Sequence, residues 1–236
     1  MPSVSLIIPG AGEGKRMGSQ TKKPFLTLGD EPILLCTLRA FGGLPAIREA
    51  ILVLGPAEIQ PVQGEWGERL RQLGVTQIVA GGARRQDSVW NGLQAVSPGC
   101  DLVLIHDAVR PLVRREVIEA VIQRAEAVGA AIAAAPMKAT VKQADHVGLI
   151  RATVPREDLW MAQTPQGFRR NLILAAFERA RAEGWVVTDD AQIVERFGHP
   201  VEIVPDTDDN LKITTPEDLV LARAILEARR RPHRAL

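Results

Sequence analysis

The chain of 236 residues is poor in aromatic side chains, since they make up only 4% of it and Tyr is absent. Single-stranded nucleic acids are bound largely by stacking on aromatic rings, so a partner of this class is disfavoured. The net charge of +1 provides no general attraction to nucleic acid or to an anionic membrane. The basic residues must therefore serve a local purpose.

Cysteines and long apolar runs are also scarce. Cys36 and Cys100 are too few for a disulfide framework and suit a reducing compartment as small buried side chains. No apolar run is long enough to span a bilayer, and the apolar start lacks the basic residues of a secretory signal. No Ser-His-Asp order and no Cys/His metal spacing occurs, which argues against hydrolase triads and zinc sites. We expect a soluble, cytoplasmic protein.

A glycine-rich, basic loop follows the first apolar run. Residues 4–8 predict a buried strand that ends at Pro9. The loop interleaves glycines with cations: Gly10, Gly12, Gly14, Lys15, Arg16, Gly18, Lys22 and Lys23. Glycines let backbone N–H groups approach an anion and cations neutralise it, so the loop suits a polyphosphate. A flexible, solvated turn is the alternative.

Two familiar phosphate motifs fail in this loop. A Walker loop needs Ser or Thr after Gly-Lys, but Arg16 follows Gly14-Lys15. The dinucleotide fingerprint fails because Met17 occupies its last glycine position. A dinucleotide-dependent reductase is therefore disfavoured, and any phosphate must be bound in another way.

Short apolar runs alternate with helical patterns along the chain. Strands are predicted at residues 4–8, 50–54, 75–80, 102–105, 130–135 and 201–204. Helices are predicted after 32, around 66–70, after 85, at 116–128, at 172–180, from 188 and from 215. This alternation predicts an α/β fold with a mostly parallel, Rossmann-like sheet and helices on both faces.

Three stretches do not follow this alternation of strand and helix patterns. Residues 136–155 predict an extended β-hairpin that projects from the domain, with a turn at 145–148. The QTPQGF stretch at 163–168 is given neither a helix nor a strand, and residues 210–213 are assigned to a β-like segment. The basic tail, Arg229 to Leu236, is expected to fray. We expect one domain, 1–236, with the arm at about 137–157.

Polar residues follow the predicted strands, at the edge where open α/β sheets bind ligands. Asp107 comes directly after the fourth strand and faces the basic loop, which is a usual arrangement for holding Mg²⁺ together with phosphate oxygens. A turn or capping Asp is the alternative. His106 is expected to be a structural hydrogen bonder, and Lys212, taken alone, is an ordinary surface cation.

The motif blocks of the chain closely resemble, in order and over essentially its whole length, those of the 2-C-methyl-D-erythritol 4-phosphate cytidylyltransferase family. The blocks are PGAGEGKRMGSQTKKPFLTL, GGARRQDSVWNGL, HDAVRP, ATVK, TVPREDLWMAQTPQGF, TDDAQIVERFG and NLKITTPEDL. That family transfers CMP from CTP to methylerythritol phosphate with Mg²⁺, releasing pyrophosphate, in non-mevalonate isoprenoid biosynthesis. The first block alone marks only the wider nucleotidyltransferase superfamily.

The resemblance implies a role for each matching position. The triphosphate would be cradled by Ala11, Gly12, Gly14, Arg16 and Lys23, of which Arg16 and Lys23 act with Lys212 as the catalytic cations. The cytosine pocket would comprise Gly82, Arg85 and Ser88, and Asp107 would hold Mg²⁺. The sugar-phosphate site would comprise Arg110, Thr140, Arg156, Thr164 and Thr188. The family's arm pairs with a second subunit, which implies a homodimer in which Arg156 serves the partner's site.

The chain departs from the family pattern at several positions, among them Lys22, where Pro often precedes the catalytic Lys, and Ala83 and Ala139, where Asp can occur. None of these departures removes a proposed charged catalytic group. Two alternatives stay open: a cytidylyltransferase that uses ribitol 5-phosphate, and a module that binds CTP without turnover.

Overall fold

The computed structural model describes residues 1–12 and 22–230. Its strands are β1 (Val4–Pro9), β2 (Thr27–Leu28), β3 (Glu31–Pro32), β4 (Ile47–Leu54), β5 (Val75–Ala80), β6 (Leu102–Ile105), β7 (Ala130–Pro136), β8 (Val141–Ala144), β9 (Ile150–Val154), β10 (Trp160–Arg169) and β11 (Glu202–Pro205). Its helices are α1 (Ile33–Ala40), α2 (Pro56–Gln72), α3 (Arg85–Gln94), α4 (Arg115–Val128), α5 (Arg170–Ala182), α6 (Asp190–Phe197) and α7 (Pro216–Arg230), with a 3-10 turn at Lys23–Phe25.

Seven strands of the described residues form one sheet in the order β11-β7-β10-β6-β1-β4-β5. Neighbouring strands pair in parallel except for β10, which is antiparallel to both β6 and β7. The predicted mostly parallel sheet is therefore confirmed. Because the parallel strands share a direction, their carboxyl ends meet at one edge.

Strand β10 is the element that the sequence pattern misses, since the pattern predicts neither a helix nor a strand at QTPQGF. Its polar side chains are buried and hydrogen-bonded: Gln166 accepts the Ala191 N–H at 3.0 Å and donates to Asp189 at 2.9 Å. Periodicity of apolar residues cannot reveal a strand whose buried side chains are amides and hydroxyls satisfied by other elements. The register also shifts between Ala162 and Gln166.

Helices cover both faces of the sheet, as predicted. On one face α1, α2 and α4 pack against Leu6 and Ile8, and on the other α3, α5 and α6 pack against Ile7. Successive residues of β1 thus point to opposite cores, so the strand needs a continuous apolar run. Helix α7 packs separately, with Ile213 and Leu28 beside it.

The projecting hairpin is confirmed as well. Among the described residues, strands β8 and β9 pair with each other alone, as a separate two-stranded antiparallel sheet. Asp145 closes the turn by accepting the N–H groups of Val147 and Leu149 at 3.1 and 2.9 Å. Val147, Leu149 and Ile150 are more than 60% exposed, so the arm presents an apolar tip.

Two local predictions were wrong. Residues 210–213 form no strand: Ile213 gives a single backbone hydrogen bond to Val109, and the Asn210 side chain is held by three others. The first two residues of the tail that was expected to fray, Arg229 and Arg230, belong to α7, and Arg229 donates to the Leu112 carbonyl at 2.7 Å. The remainder of the tail, 231–236, lies outside the described residues. The single-domain boundary stays a prediction. In the part of the chain that the structure describes, no helix combines the length and apolarity that crossing a bilayer requires.

Candidate active site

A cleft of about 550 Å³ lies at the carboxyl ends of β1, β4, β5 and β6. Its backbone walls are residues 10–12, 55–56 and 81–83, and we call it the glycine-lined cleft. Its charged side chains are Lys22, Lys23, Arg84, Arg85, Asp107 and Lys212. The predicted loop, strand-end carboxylate and late lysine are thus brought together although they are far apart in sequence. Gly14 and Arg16 lie outside the described residues.

Asp107 is the negative centre of the cleft and contacts three cations. Lys212 Nζ lies 2.8 Å and Arg110 Nε 3.4 Å from Oδ2, and Arg85 Nε lies 3.2 Å from Oδ1. Burial alone would raise the pKa of Asp107, but Arg85, Lys212 and Arg110 outweigh burial and hold this pKa well below its usual range. The carboxylate is therefore ionised at neutral pH and fixed in place.

Asp190 is a buried carboxylate beside the cleft that the sequence analysis did not single out. It is 1% exposed at the start of α6, and its Oδ2 lies 2.8 Å from Arg85 Nη2. Burial raises the pKa of Asp190, with Arg85 opposing this effect. Arg85 thereby bridges two carboxylates, Asp107 and Asp190, and they raise the pKa of its guanidinium above the ordinary value although burial acts in the other direction. Asp190 is the second Asp of the TDD block, and that block was the sequence signal that could have identified it.

The loop after β5 forms the opposite wall of the cleft. The Gly82 N–H donates to Ser88 Oγ at 3.1 Å, and this hydroxyl donates to the Arg84 carbonyl at 3.1 Å. A Cβ on Gly81 would lie 2.3 Å from the Cβ of Ala11, so only glycine allows the two loops to meet this closely. Ser88 thus holds the loop, and a Cβ on Gly82 would lie 2.4 Å from the Cβ of Asp87.

A hydrogen-bonded relay fixes the Asp107 backbone. The Asp107 N–H donates to Thr164 Oγ1 at 3.1 Å, and Thr164 Oγ1 lies 3.0 Å from His106 Nδ1. On the other side of the ring, His106 Nε2 lies 3.0 Å from the Arg110 carbonyl oxygen. Burial lowers the pKa of His106 to about 4, so the imidazole is neutral at pH 7. Its Nε2–H donates to Arg110, and its Nδ1 accepts from Thr164.

Asn210 joins this relay to the segment that carries Lys212. The Asn210 Nδ2 donates to the Thr164 carbonyl at 2.8 Å and to Asp206 at 2.9 Å. The backbone carbonyl of Asn210 accepts from Arg110 Nη1 at 2.6 Å. The segment before α7 therefore owes its position to side-chain contacts rather than to a sheet. Asn210, which the sequence analysis did not assign to the site, orients the backbone next to Lys212.

The residues assigned to the sugar-phosphate site lie in three places. Arg110 and Thr164 are buried beside Asp107. Thr140 and Arg156 are exposed at the base of the arm, and neither lines the glycine-lined cleft of this chain. Thr188 precedes α6, where its N–H donates to Gln192 Oε1 at 2.9 Å.

The donor set fits one Mg²⁺ ion held jointly with phosphate. No group of three or more His, Cys, Asp or Glu side chains within residues 1–12 and 22–230 could hold a metal alone. Mg²⁺ in nucleotide sites typically takes one or two carboxylates and completes its shell with phosphate oxygens and water. A single ionised Asp107 in a basic cleft matches that requirement.

The parallel sheet, with a glycine-lined, basic cleft and one ionised carboxylate at its strand ends, defines a nucleotide-binding α/β transferase. The sequence model of the 2-C-methyl-D-erythritol 4-phosphate cytidylyltransferase family matches residues 4–228. The chain therefore belongs to this family.

Individual relatives agree. The chain is 44% identical over 229 residues to the enzyme of that name from Pelotomaculum thermopropionicum, covering 97% of this chain and 96% of the relative. A crystal structure of the Thermus thermophilus enzyme aligns with a TM-score of 0.80 at 36% identity, over 95% of this chain and 99% of that one. A 4-diphosphocytidyl-2C-methyl-D-erythritol synthase from Anaerococcus prevotii aligns with a TM-score of 0.83 at 33% identity, over 96% of each chain.

Proposed function

We propose that the protein transfers CMP from CTP to 2-C-methyl-D-erythritol 4-phosphate, releasing pyrophosphate, in non-mevalonate isoprenoid precursor biosynthesis. The observation that carries this proposal is the Asp107 centre, where Lys212, Arg110 and Arg85 converge within 3.4 Å of one carboxylate at the floor of the glycine-lined cleft. Family membership supplies the acceptor, which the geometry of the cleft alone does not identify.

The reaction needs charge neutralisation more than it needs a base. An oxygen of the acceptor phosphate forms a bond to the α-phosphorus of CTP, and the bond from that phosphorus to the pyrophosphate oxygen breaks. The acceptor phosphate is already an anionic nucleophile, so the barrier comes from repulsion between anions and from charge on the leaving group. Lys23 and Lys212, with Arg16, would neutralise this charge by preorganised electrostatics.

Mg²⁺ would be held by Asp107, where it would neutralise phosphate charge. For this, the Asp107 carboxylate must share its oxygens with the metal as well as with the surrounding cations. The raised pKa of Arg85 keeps that side chain charged throughout. Asp190 retains Arg85 at the wall of the cleft when Asp107 takes another partner, because Arg85 Nη2 lies 2.8 Å from it.

The working unit in this proposal is a homodimer. Thr140 and Arg156 are exposed at the base of the arm, and the arm carries the apolar, exposed Val147, Leu149 and Ile150. Exposed apolar side chains clustered on one projection are typical of an interaction surface. Pairing of two arms would bury this tip and offer each Arg156 to the partner's site.

The purified protein incubated with CTP, Mg²⁺ and each sugar phosphate in turn tests the proposal by pyrophosphate release. We expect rapid release with methylerythritol phosphate and little with ribitol 5-phosphate. Faster release with ribitol 5-phosphate would identify that sugar phosphate, rather than methylerythritol phosphate, as the acceptor. Tight CTP binding with no release from either acceptor would instead identify a non-catalytic CTP-binding module.

A further inference from the structure

Lys22 is a second ammonium at the rim of the glycine-lined cleft, next to Lys23. Its side chain is 28% exposed, and its Nζ lies 2.8 Å from Glu58 Oε1. Lys22 has an extended backbone (φ −64°, ψ 145°), and its carbonyl accepts the Phe25 N–H at 3.0 Å. It therefore enters the 3-10 turn at Lys23–Phe25 in a defined conformation.

Glu58 is the acidic partner of Lys22. It lies in the first turn of α2, and its side chain is 18% exposed. Its Oε2 is buried and has no hydrogen-bond partner among the described residues. A half-satisfied buried carboxylate is costly, and here its charge is offset by Lys22 and by the positive end of the α2 helix dipole.

Gly55 makes room for this pair. A Cβ on Gly55 would lie 2.0 Å from Glu58 Oε2 and 3.2 Å from Lys22 Nζ, so both charged groups rest directly over the Gly55 backbone. Gly55 itself lines the glycine-lined cleft. The ammonium is thus held at the end of β4, on the lining of the glycine-lined cleft.

Lys22 lies on the side of the cleft away from the proposed reacting phosphorus. Asp107 follows β6 and Gly55 follows β4, and β1 lies between these two strands. Strands are about 4.8 Å apart, so the two positions are separated by about 10 Å along the sheet edge. The loop after β5, which carries the proposed base pocket, lies one strand further on, so the distance alone does not select a phosphate. The selecting observation is that Lys22 lines the cleft directly beside Lys23, in the loop assigned to the triphosphate.

We propose that Lys22 binds the distal phosphates of the nucleoside triphosphate and that Glu58 restrains this lysine by competing with the phosphates for its ammonium. This inference rests on the proposed function. It makes Glu58 a residue that weakens nucleotide affinity. A purely structural role for the pair predicts the opposite effect when Glu58 is neutralised.

Calorimetric titration of CTP with Mg²⁺ and without acceptor, together with steady-state kinetics, tests the proposal. Glu58→Gln removes the competing charge, and we expect the Kd for CTP to fall about two- to fivefold. Lys22→Ala removes the ammonium, and we expect that Kd to rise about tenfold. Because Lys22 is remote from the α-phosphorus, its loss should raise KM for CTP and change kcat by less than about threefold.

Two controls keep the result interpretable. Lys22→Ala leaves the Glu58 carboxylate without its cation, so Lys22→Ala/Glu58→Gln is compared with Glu58→Gln alone, and its Kd should be about tenfold higher. Arg124→Ala breaks an exposed ion pair with Glu202 outside the cleft and should leave the Kd unchanged.

Each outcome decides between the two proposals. If the double variant binds CTP as tightly as Glu58→Gln, or if Glu58→Gln binds CTP more weakly than the wild type, the role of Lys22 is refuted. The proposed function then stands if the wild type still releases pyrophosphate. If the wild type binds no CTP, the proposed function fails and this inference fails with it.

Discussion

At the scale of single residues, the site is a balance of charge around Asp107. Three cations converge on one carboxylate, and Arg85 is shared with a second carboxylate, Asp190. These pairs keep the cations in the cleft before any ligand arrives, so little reorganisation is needed when phosphates bind. Because each cation contacts the same carboxylate, we expect the loss of any one of them to disturb the charge balance of the site.

Lys23→Ala and Lys212→Ala should each lower kcat about 10²- to 10³-fold, because each removes a preorganised cation from the site where phosphate charge develops. Lys23 and Lys212 both line the glycine-lined cleft. Pyrophosphate release measures the rate, and circular dichroism of the purified variants checks the fold. Near-normal turnover by either folded variant would contradict the role assigned to that lysine.

Thr164→Val should destabilise the protein by about 1–3 kcal/mol, since the buried Asp107 N–H and His106 Nδ1 both lose the hydroxyl that satisfies them. Thr164→Ser keeps the hydroxyl and is the matched control. Denaturant unfolding measures the free energy of unfolding of both variants. Equal stability of Val and Ser at this position would mean that the relay is not what fixes Asp107.

At the scale of elements, the site depends on how closely α3 approaches the sheet. Gly92 of α3 faces β1 and β4, where an added Cβ would lie 2.7 Å from Ile7 and 3.2 Å from Val53. Arg85 and Ser88 are on the same helix, so its distance from the sheet sets the position of the cleft wall. By contrast, a Cβ on Gly64 of α2 would meet nothing within 4 Å.

These two helical glycines give a matched pair of predictions with opposite signs. Gly92→Ala should destabilise the protein by about 1–3 kcal/mol through overpacking against Ile7 and Val53. Gly64→Ala should stabilise it by about 0.5–1 kcal/mol, because alanine loses less backbone entropy in a helix. Thermal and denaturant unfolding of both variants measure the difference, and a stabilising Gly92→Ala would contradict the packing described here.

At the scale of the whole molecule, the proposed pairing of two arms raises the question of whether a second copy of the chain completes each site. Thr140 and Arg156 lie at the base of the arm and do not line the glycine-lined cleft of their own chain. If two arms pair, these side chains can act on the neighbouring cleft. This arrangement differs measurably from one in which each chain works alone.

Mixing two inactive variants distinguishes these arrangements. In a heterodimer of Arg156→Ala and Lys212→Ala, one site collects both defects and the other has none, provided that Arg156 serves the partner's site. Equimolar, freely exchanging subunits should then recover about a quarter of wild-type turnover. If Arg156 serves its own chain, every site carries one defect and mixing recovers nothing. Turnover of the mixture, after exchange has been verified by size and mass, measures the result.

The sequence by itself determined the parallel strands and the loops at their ends. Strands with apolar residues on both faces, such as Leu6, Ile7 and Ile8 of β1, must be covered on both sides, and glycines and charges directly after such strands fall at one edge of the sheet. Asp107, Lys23 and Arg85 could therefore be assigned to one site from order and residue type, together with the resemblance of the motif blocks.

Only the tertiary structure decided the features whose partners are distant in sequence. The buried side chains of strand β10 include amides and hydroxyls that hydrogen-bond to other elements, so the strand shows no alternation of apolar residues. Its place between β6 and β7 could therefore not be predicted from the sequence. The Arg85–Asp190 pair, the Thr164–His106 relay and the Lys22–Glu58 pair join segments that the chain order leaves apart. A pattern along the sequence reports which face of an element is buried, whereas the partner of a buried polar group depends on packing.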